Sequence, residues 1–137
     1  MLLNLMIGLP TMLVCLALQA AITAWCVFYY MQPHDRQFAP LLVVMLVLML
    51  GNFVQIMLWG IVFMFLGEFT ELYEAVYHSG VNFSSLGYGD VVMTKRWKLL
   101  GPLEAANGVL MFAMTGAALM AILQHMIKLR IDRKQAG

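Results

Sequence analysis

The chain of 137 residues is 63% hydrophobic, and only 11% of its residues are charged, whereas a soluble domain carries roughly 25%. The formal net charge of +1 gives no electrostatic reason to expect a nucleic-acid partner. Three apolar runs each exceed the roughly 20 residues that a helix needs to cross a bilayer, so the sequence predicts an all-α membrane protein with three transmembrane helices per subunit.

The first apolar run extends from about Leu2 to Tyr30. It lacks the basic start and the small-residue cleavage site of a signal peptide, so we expect a membrane span. Its two cysteines, Cys15 and Cys26, would lie about 16 Å apart on one helix, too far to form a disulfide with each other. We interpret them as small residues facing lipid or another helix. Residues 1–38 are predicted to form an additional N-terminal span and a short cytoplasmic link.

The second run, from about Pro40 to Gly67, contains no charged residue, and the third, from about Gly101 to Ile127, contains only Glu104. Asn52 and Gln55 lie three residues apart on one face of the second run. Polar side chains at this depth are expected to hydrogen-bond to neighbouring helices.

The segment between these two runs begins with the pattern of a short amphipathic helix. Thr70 is placed to cap its N-terminus, and Glu71 and Glu74 would lie in the first turn, where the helix dipole favours acids. The predicted helix covers about residues 70–84 and is about 20 Å long, too short to cross a bilayer. Because the glycine-containing stretch SSLGYGD follows it between two spans, the sequence predicts a re-entrant loop.

The stretch SSLGYGD, residues 84–90, contains the residue types needed to hold a dehydrated cation on backbone oxygens. Aiming successive carbonyls at one axis requires φ values at alternate residues that a Cβ resists, and Gly87 and Gly89 permit them. The hydroxyl of Ser85 can add a further oxygen. One chain supplies one oxygen per level, so a complete ring requires copies of the chain around an axis, and four copies would form cages of eight oxygens.

With a span on each side, SSLGYGD resembles the selectivity filter of tetrameric potassium channels, usually written T-T-V-G-Y-G-D. The resemblance covers about residues 40–127 and implies a homotetramer whose pore domain occupies residues 39–128. In that domain the second run would be the outer helix, residues 70–84 the pore helix, residues 85–90 the filter, and the third run the inner helix.

The same resemblance implies roles for residues around the filter. Asp90 would brace the outer mouth, and Tyr77 and His78 lie where an aromatic pair often supports the filter in this family. Potassium would be the permeant ligand, with no further cofactor. The coordinating positions would be the carbonyls of Ser85, Leu86, Gly87, Tyr88 and Gly89, together with the Ser85 hydroxyl.

In the third run, Gly108 falls at the position of the family's gating hinge if one gap is allowed, and Phe112 would then face the cavity. Gly108 and the alanines around it are equally explained by close helix packing. Glu104 is either an acid near a helix N-terminus or a brace behind the filter or a charge at its rim. His125 is either an interfacial histidine or a sensor of cytoplasmic pH.

This sequence departs from the family pattern at three positions near the filter. Ser85 replaces the usual threonine and loses a stiffening methyl group. Leu86 replaces valine or isoleucine, and Val81 stands where some members carry an acid. The first span has no counterpart in the minimal two-span channels. These departures concern the rigidity of the filter more than the choice of cation.

Basic residues near the helix ends favour an outside N-terminus and a cytoplasmic C-terminus, with residues 129–137 as a short basic tail. The basic residues of the two sides are Arg36, Lys128, Arg130, Arg133 and Lys134 against Lys95, Arg96 and Lys98. The preferred hypothesis is a homotetrameric potassium channel, not an enzyme, surrounded by lipid in a plasma membrane of the bacterial inner-membrane type. The alternatives are a weakly selective cation channel and a non-conducting membrane assembly subunit with a pore-like fold.

Overall fold

The computed structural model describes residues 1–30 and 39–135 of the chain. Within these ranges the chain folds into helices without any strand. The helices are α1 (Leu2–Tyr30), α2 (Ala39–Phe65), α3 (Leu72–Phe83) and α4 (Leu100–Gln135). Three of them, α1, α2 and α4, are long and apolar enough to cross a membrane. The 12 residues of α3 span about 18 Å, which is too short to do so. The predicted all-α fold of a multi-pass membrane protein is confirmed.

The membrane-crossing helices form a bundle in which α1 packs against both α2 and α4. Near its start, α1 lies beside the segment that precedes α4, where the Asn4 amide donates to the carbonyl of Arg96 at 3.0 Å. Further along, Gln19 of α1 reaches Thr115 of α4. Contacts therefore advance together along the two helices, which run parallel, and α2 runs antiparallel to both. The short helix α3 packs against α2 and α4 at the end of the bundle where α4 begins.

The boundary between α2 and α3 differs from the prediction at the N-terminus of α3. Thr70 is not the N-cap; Glu71 occupies that position in an extended conformation, with no hydrogen bond from its side chain to the end of this helix. Glu71 therefore precedes the first turn, in which Glu74 is the acid. A capping hydroxyl stabilises a helix by about 1 kcal/mol. Here the packing of Leu66 and Phe69 against the apolar core outweighs that stabilisation.

The C-termini of α2 and α4 also differ from the predicted ends. After Phe65 the chain turns at Gly67, whose φ is +74°, and the Glu68 N–H donates to the Phe63 carbonyl at 3.1 Å, as in a helix-ending glycine turn. In contrast, α4 continues to Gln135, well beyond the predicted end, because the residues after the apolar run are good helix formers. The predicted link at residues 31–38 lies outside the described residues.

The apolar core consists of two clusters at opposite ends of the bundle. The first, beside α3, is formed by Cys15, Trp59, Phe63, Phe83, Trp97, Leu100 and Met111. The second is formed by Cys26, Val44, Leu48, Ala118 and Ile122. Both cysteines are buried free thiols facing other helices, one of the two environments predicted for them.

Between the two clusters lies a layer of polar side chains that connects the three long helices. The Thr115 hydroxyl accepts hydrogen bonds from Gln19 at 3.0 Å and from Asn52 at 3.2 Å, and the Gln55 amide donates to the Gln19 carbonyl oxygen at 2.8 Å. The hydrogen bonds predicted for Asn52 and Gln55 are therefore present. Because no water competes for such groups inside a bilayer, this layer fixes which faces of α1, α2 and α4 meet.

The candidate ion-conducting loop

The loop that follows α3 begins directly from the last turn of that helix. The Ser85 N–H donates to the Asn82 carbonyl at 2.8 Å, and the Leu86 N–H donates to the Val81 carbonyl at 3.0 Å. The Ser84 hydroxyl donates to the Gly80 carbonyl at 2.6 Å. These bonds satisfy carbonyls that a helix C-terminus leaves open, and they fix the direction in which the chain leaves the helix.

The backbone of the loop alternates in handedness. Ser85, Gly87 and Gly89 have φ values of +58°, +62° and +75°, and among the described residues Ser85 is the only non-glycine with a positive φ. Leu86 and Tyr88 separate these three positions. The positive φ values predicted at the two glycines are therefore present, while the one at Ser85 was not anticipated, because a serine carries no signal for it.

The loop is exposed along its whole length in the single chain, residues 84–90 included. The side chains of Leu86 and Tyr88 are 58% and 67% exposed, so neither packs against the rest of the protomer to any large extent. A Cβ built at Gly87 or Gly89 would meet no heavy atom of the described residues within 4 Å. Polar backbone at membrane depth needs protein or water around it, and one chain does not provide the protein.

Two side chains of α3 hold the segment that follows the loop. The Tyr77 hydroxyl donates to the Asp90 carboxylate at 2.7 Å, and the His78 ring donates from Nδ1 to the Val91 carbonyl at 2.9 Å. The Tyr77 hydroxyl lowers the pKa of Asp90, and the same hydrogen bond raises the pKa of Tyr77. Tyr77, His78 and Asp90, which the family resemblance placed around the filter, are thus brought together, while their role as filter support stays a prediction.

The hydrogen bonds of His78 define its protonation state. Because Nδ1 donates to the Val91 carbonyl, Nε2 is the acceptor of the hydrogen bond from the Asn82 amide, also at 2.9 Å. The ring is 6% exposed and packs against Phe63 and Phe69, with centroids 5.7 and 5.1 Å away. Burial lowers the pKa of His78, the opposing contributions of Val91, Glu68 and Asp90 being smaller. The neutral ring therefore fits this site.

We expect this lowered pKa to make the protein less stable below the ordinary histidine pKa of 6.5. The unfolded chain takes up a proton at His78 at a higher pH than the folded chain does, so stability falls as the pH drops below 6.5 toward the folded value. Thermal unfolding in detergent, measured between pH 7.5 and pH 5, tests this. In the His78→Gln variant the loss of stability on acidification should be smaller. An equal loss in both proteins would assign the pH dependence to other groups.

The contacts of α4 with α3 lie directly behind the loop. A Cβ at Gly108 would lie 2.7 Å from the carbonyl carbon of Phe83 and 2.9 Å from its Cα, and closer still to its carbonyl oxygen. Gly108 is therefore a site of close helix packing, one of its two predicted roles; its role as a hinge stays a prediction. Phe112 is 46% exposed, and its ring meets that of Phe83 edge-on with centroids 5.5 Å apart.

The sequence had given no partner for Glu104, and the structure places it against α3. Its side chain has no exposed surface, and Oε1 contacts the Ser79 hydroxyl. Glu104 therefore lies buried between α4 and α3, and not at an exposed rim; its role as a brace stays a prediction.

The segment after the loop is also fastened from its other side. Glu68, in the turn between α2 and α3, accepts hydrogen bonds from the Thr94 N–H and from its hydroxyl, both at 2.6 Å. No sequence motif indicated this pair, because the two residues belong to different connections and neither has a distinctive neighbour. Together with the bond from Asn4 to Arg96, it ties residues 91–99 to the bundle.

These features define a membrane protein in which a short helix and an irregular loop enter between two spans. A family model described as ion channel matches residues 51–125, which is more than half of the chain and includes the second half of α2, all of α3, the loop and most of α4. The chain belongs to this ion channel family. No curated protein and no solved structure matches it.

Proposed function

We propose that the protein is a potassium-selective channel in which four copies of the chain surround a filter made by residues 85–89. The observation that carries this proposal is the alternation of positive φ at Ser85, Gly87 and Gly89, directly after a short helix that does not cross the membrane. Alternating handedness is the conformation in which successive carbonyls of one strand can face the same axis. Carbonyl oxygens then replace the water of a dehydrated potassium ion without adding a charge that would trap it.

In this proposal each protomer contributes one oxygen to each level of the filter. The C-terminus of α3 adds to the attraction, because the partial negative charge of a helix dipole lies at that end, two residues before Ser85. Conduction is passive: ions enter in single file and displace one another. The oxygens would come from the carbonyls of Ser85, Leu86, Gly87, Tyr88 and Gly89 and from the Ser85 hydroxyl.

Assembly into a homotetramer is supported by the exposure of the loop in the single chain. The backbone of residues 84–90 is polar and uncovered, and the side chain of Tyr88 is 67% exposed. In a tetramer the neighbouring copies would cover the outer side of each loop, and water and ions would fill the inner side. The N-terminus is proposed to lie outside and the C-terminus in the cytoplasm, in a plasma membrane of the bacterial inner-membrane type.

The proposal is tested by cation flux into liposomes that hold the purified wild-type protein, with potassium and sodium gradients compared under the same conditions. We expect potassium flux at least about tenfold above sodium flux, which corresponds to about 1.4 kcal/mol of discrimination. Equal fluxes would favour the weakly selective cation channel, for which the more flexible side chains of Ser85 and Leu86 would be responsible. No flux of either ion from a tetramer of measured mass would favour the non-conducting assembly subunit.

A further inference from the structure

Glu104 is a carboxyl group without any exposed surface, near the start of a helix long enough to cross the membrane. A buried acid in such a helix is costly unless it is neutral or paired. Its surroundings therefore have to explain why an acid is tolerated at this position.

The carboxyl of Glu104 contacts the short helix α3 next to the side chain that holds the far end of the ion-conducting loop. It contacts the hydroxyl of Ser79, and Ser79 directly follows His78 in the chain. His78 accepts a hydrogen bond from the Asn82 amide at Nε2 and donates from Nδ1 to the carbonyl of Val91, each over 2.9 Å. Val91 directly follows Asp90, so α4 is connected through α3 to the backbone at the far end of the loop.

The charge of Glu104 follows from counting the protons available to its contact with the Ser79 hydroxyl. Ser79 has a single hydroxyl proton, and its oxygen lies 2.7 Å from the carbonyl of Ile56, which can only accept. When the hydroxyl donates to Ile56, the Ser79 oxygen must accept from Glu104, and only a protonated carboxyl can donate. The second oxygen of Glu104, Oε2, is buried and has no hydrogen-bond partner among the described residues, which would leave an anion uncompensated. The neutral acid satisfies both observations.

We propose that Glu104 is a positioning residue for conduction: its neutral carboxyl holds α3, through Ser79, in the orientation in which residues 84–90 form the filter. This inference rests on the proposed function, since it names a residue that acts on the same loop. Glu104 itself touches no ion. It acts by fixing the angle between α3 and α4, which pack closely where Gly108 faces the backbone of Phe83.

The test compares Glu104→Gln, Glu104→Leu and Ser79→Ala with the wild type in the same liposome assay. Glutamine has the same shape, and its amide donates to the Ser79 oxygen as the protonated acid does, so its ratio of potassium to sodium flux should stay within about twofold of the wild type. Leucine removes the hydrogen bonds, and we expect the ratio to fall by about tenfold. Ser79→Ala is a smaller change that breaks the same link, and it should lower the ratio by about threefold. Tetramer yield and thermal stability are measured in parallel.

The outcomes separate this inference from the proposed function. Rescue by glutamine, with lowered ratios in the other two variants, supports the neutral brace, and if Glu104→Leu does not assemble, Ser79→Ala decides. A glutamine variant as damaged as the leucine variant would overturn the inference, because it would show that a negative charge is needed. Wild-type ratios in all three variants would overturn the inference alone. An unselective wild type would overturn the proposed function and this inference with it.

Discussion

Replacing Gly108 with alanine is expected to disrupt the contact between α3 and α4 and to abolish potassium flux. The added Cβ would lie within 2.9 Å of three backbone atoms of Phe83, the last residue of α3. Backbone atoms cannot rotate away as a side chain can, so the two helices must move apart. Overpacking of this kind costs about 1–3 kcal/mol and occasionally more. Because the three nearest atoms all belong to the backbone, we expect Gly108→Ala at the upper end of that range.

The matched control for this change is Gly116→Ala in the same helix. A Cβ at Gly116 would meet no heavy atom of the described residues within 4 Å, and alanine favours a helix over glycine by about 1 kcal/mol. Gly116→Ala should therefore keep or raise the thermal stability of the protein, while Gly108→Ala lowers it. A Gly108→Ala variant with normal stability and altered flux would instead support the hinge role predicted from the family resemblance. Normal stability together with normal flux would contradict both roles.

The sequence predicted those parts of the fold that depend on local signals. The length of an apolar run defines a membrane span wherever it occurs, so α1 was predicted with its observed ends. Gly87 and Gly89 predicted a left-handed backbone because a residue without a Cβ permits that conformation. The short helix between the spans was recognised from its length and its position, although its first residue was placed too early.

The remaining features depend on which helix faces lie together, and a single sequence does not contain that information. An acid in an apolar run indicated that Glu104 needs a hydrogen-bond partner. Its contact with Ser79, however, exists only because α3 packs against both α2 and α4. In the same way, the positive φ of Ser85 follows from the hydrogen bonds that end α3, not from the nature of serine. The pairing of Glu68 with Thr94 depends on two connections that meet at one end of the bundle.

The position of α1 in the bundle also emerges only from the structure. The buried face of α1 carries polar or small residues at helical spacing. In a hydropathy pattern such residues only lower the apolar character of the span. Gln19 lies at the centre of the polar layer and bonds to both α2 and α4. At its start, Asn4 holds the segment before α4. The first span therefore packs as part of the same bundle as α2 and α4, with contacts at two levels.

Replacing Gly87 with alanine is expected to abolish selective potassium flux while leaving the fold of each protomer intact. Gly87 has a φ of +62°, a conformation that costs a residue with a Cβ about 1–2 kcal/mol. In the proposed tetramer each of the four copies would bear this cost, about 4–8 kcal/mol in all. The loop can relieve it by turning its carbonyls away from the axis. Since a Cβ at Gly87 meets no heavy atom of the described residues within 4 Å, the substitution disturbs no packing contact of the protomer.

Gly67→Ala is the matched control for this second change. Gly67 also has a positive φ, +74°, and open space around the position of a Cβ within the described chain, but it ends α2 far from the loop in sequence. Its replacement carries the same backbone cost of about 1–2 kcal/mol and should lower thermal stability slightly while preserving the ratio of potassium to sodium flux. Gly87→Ala should instead keep the thermal stability of the protomer and lose the flux. Selective flux at the wild-type rate in Gly87→Ala would mean that the left-handed backbone at this position is not required for conduction, and the filter assigned to residues 85–89 would then have to be abandoned.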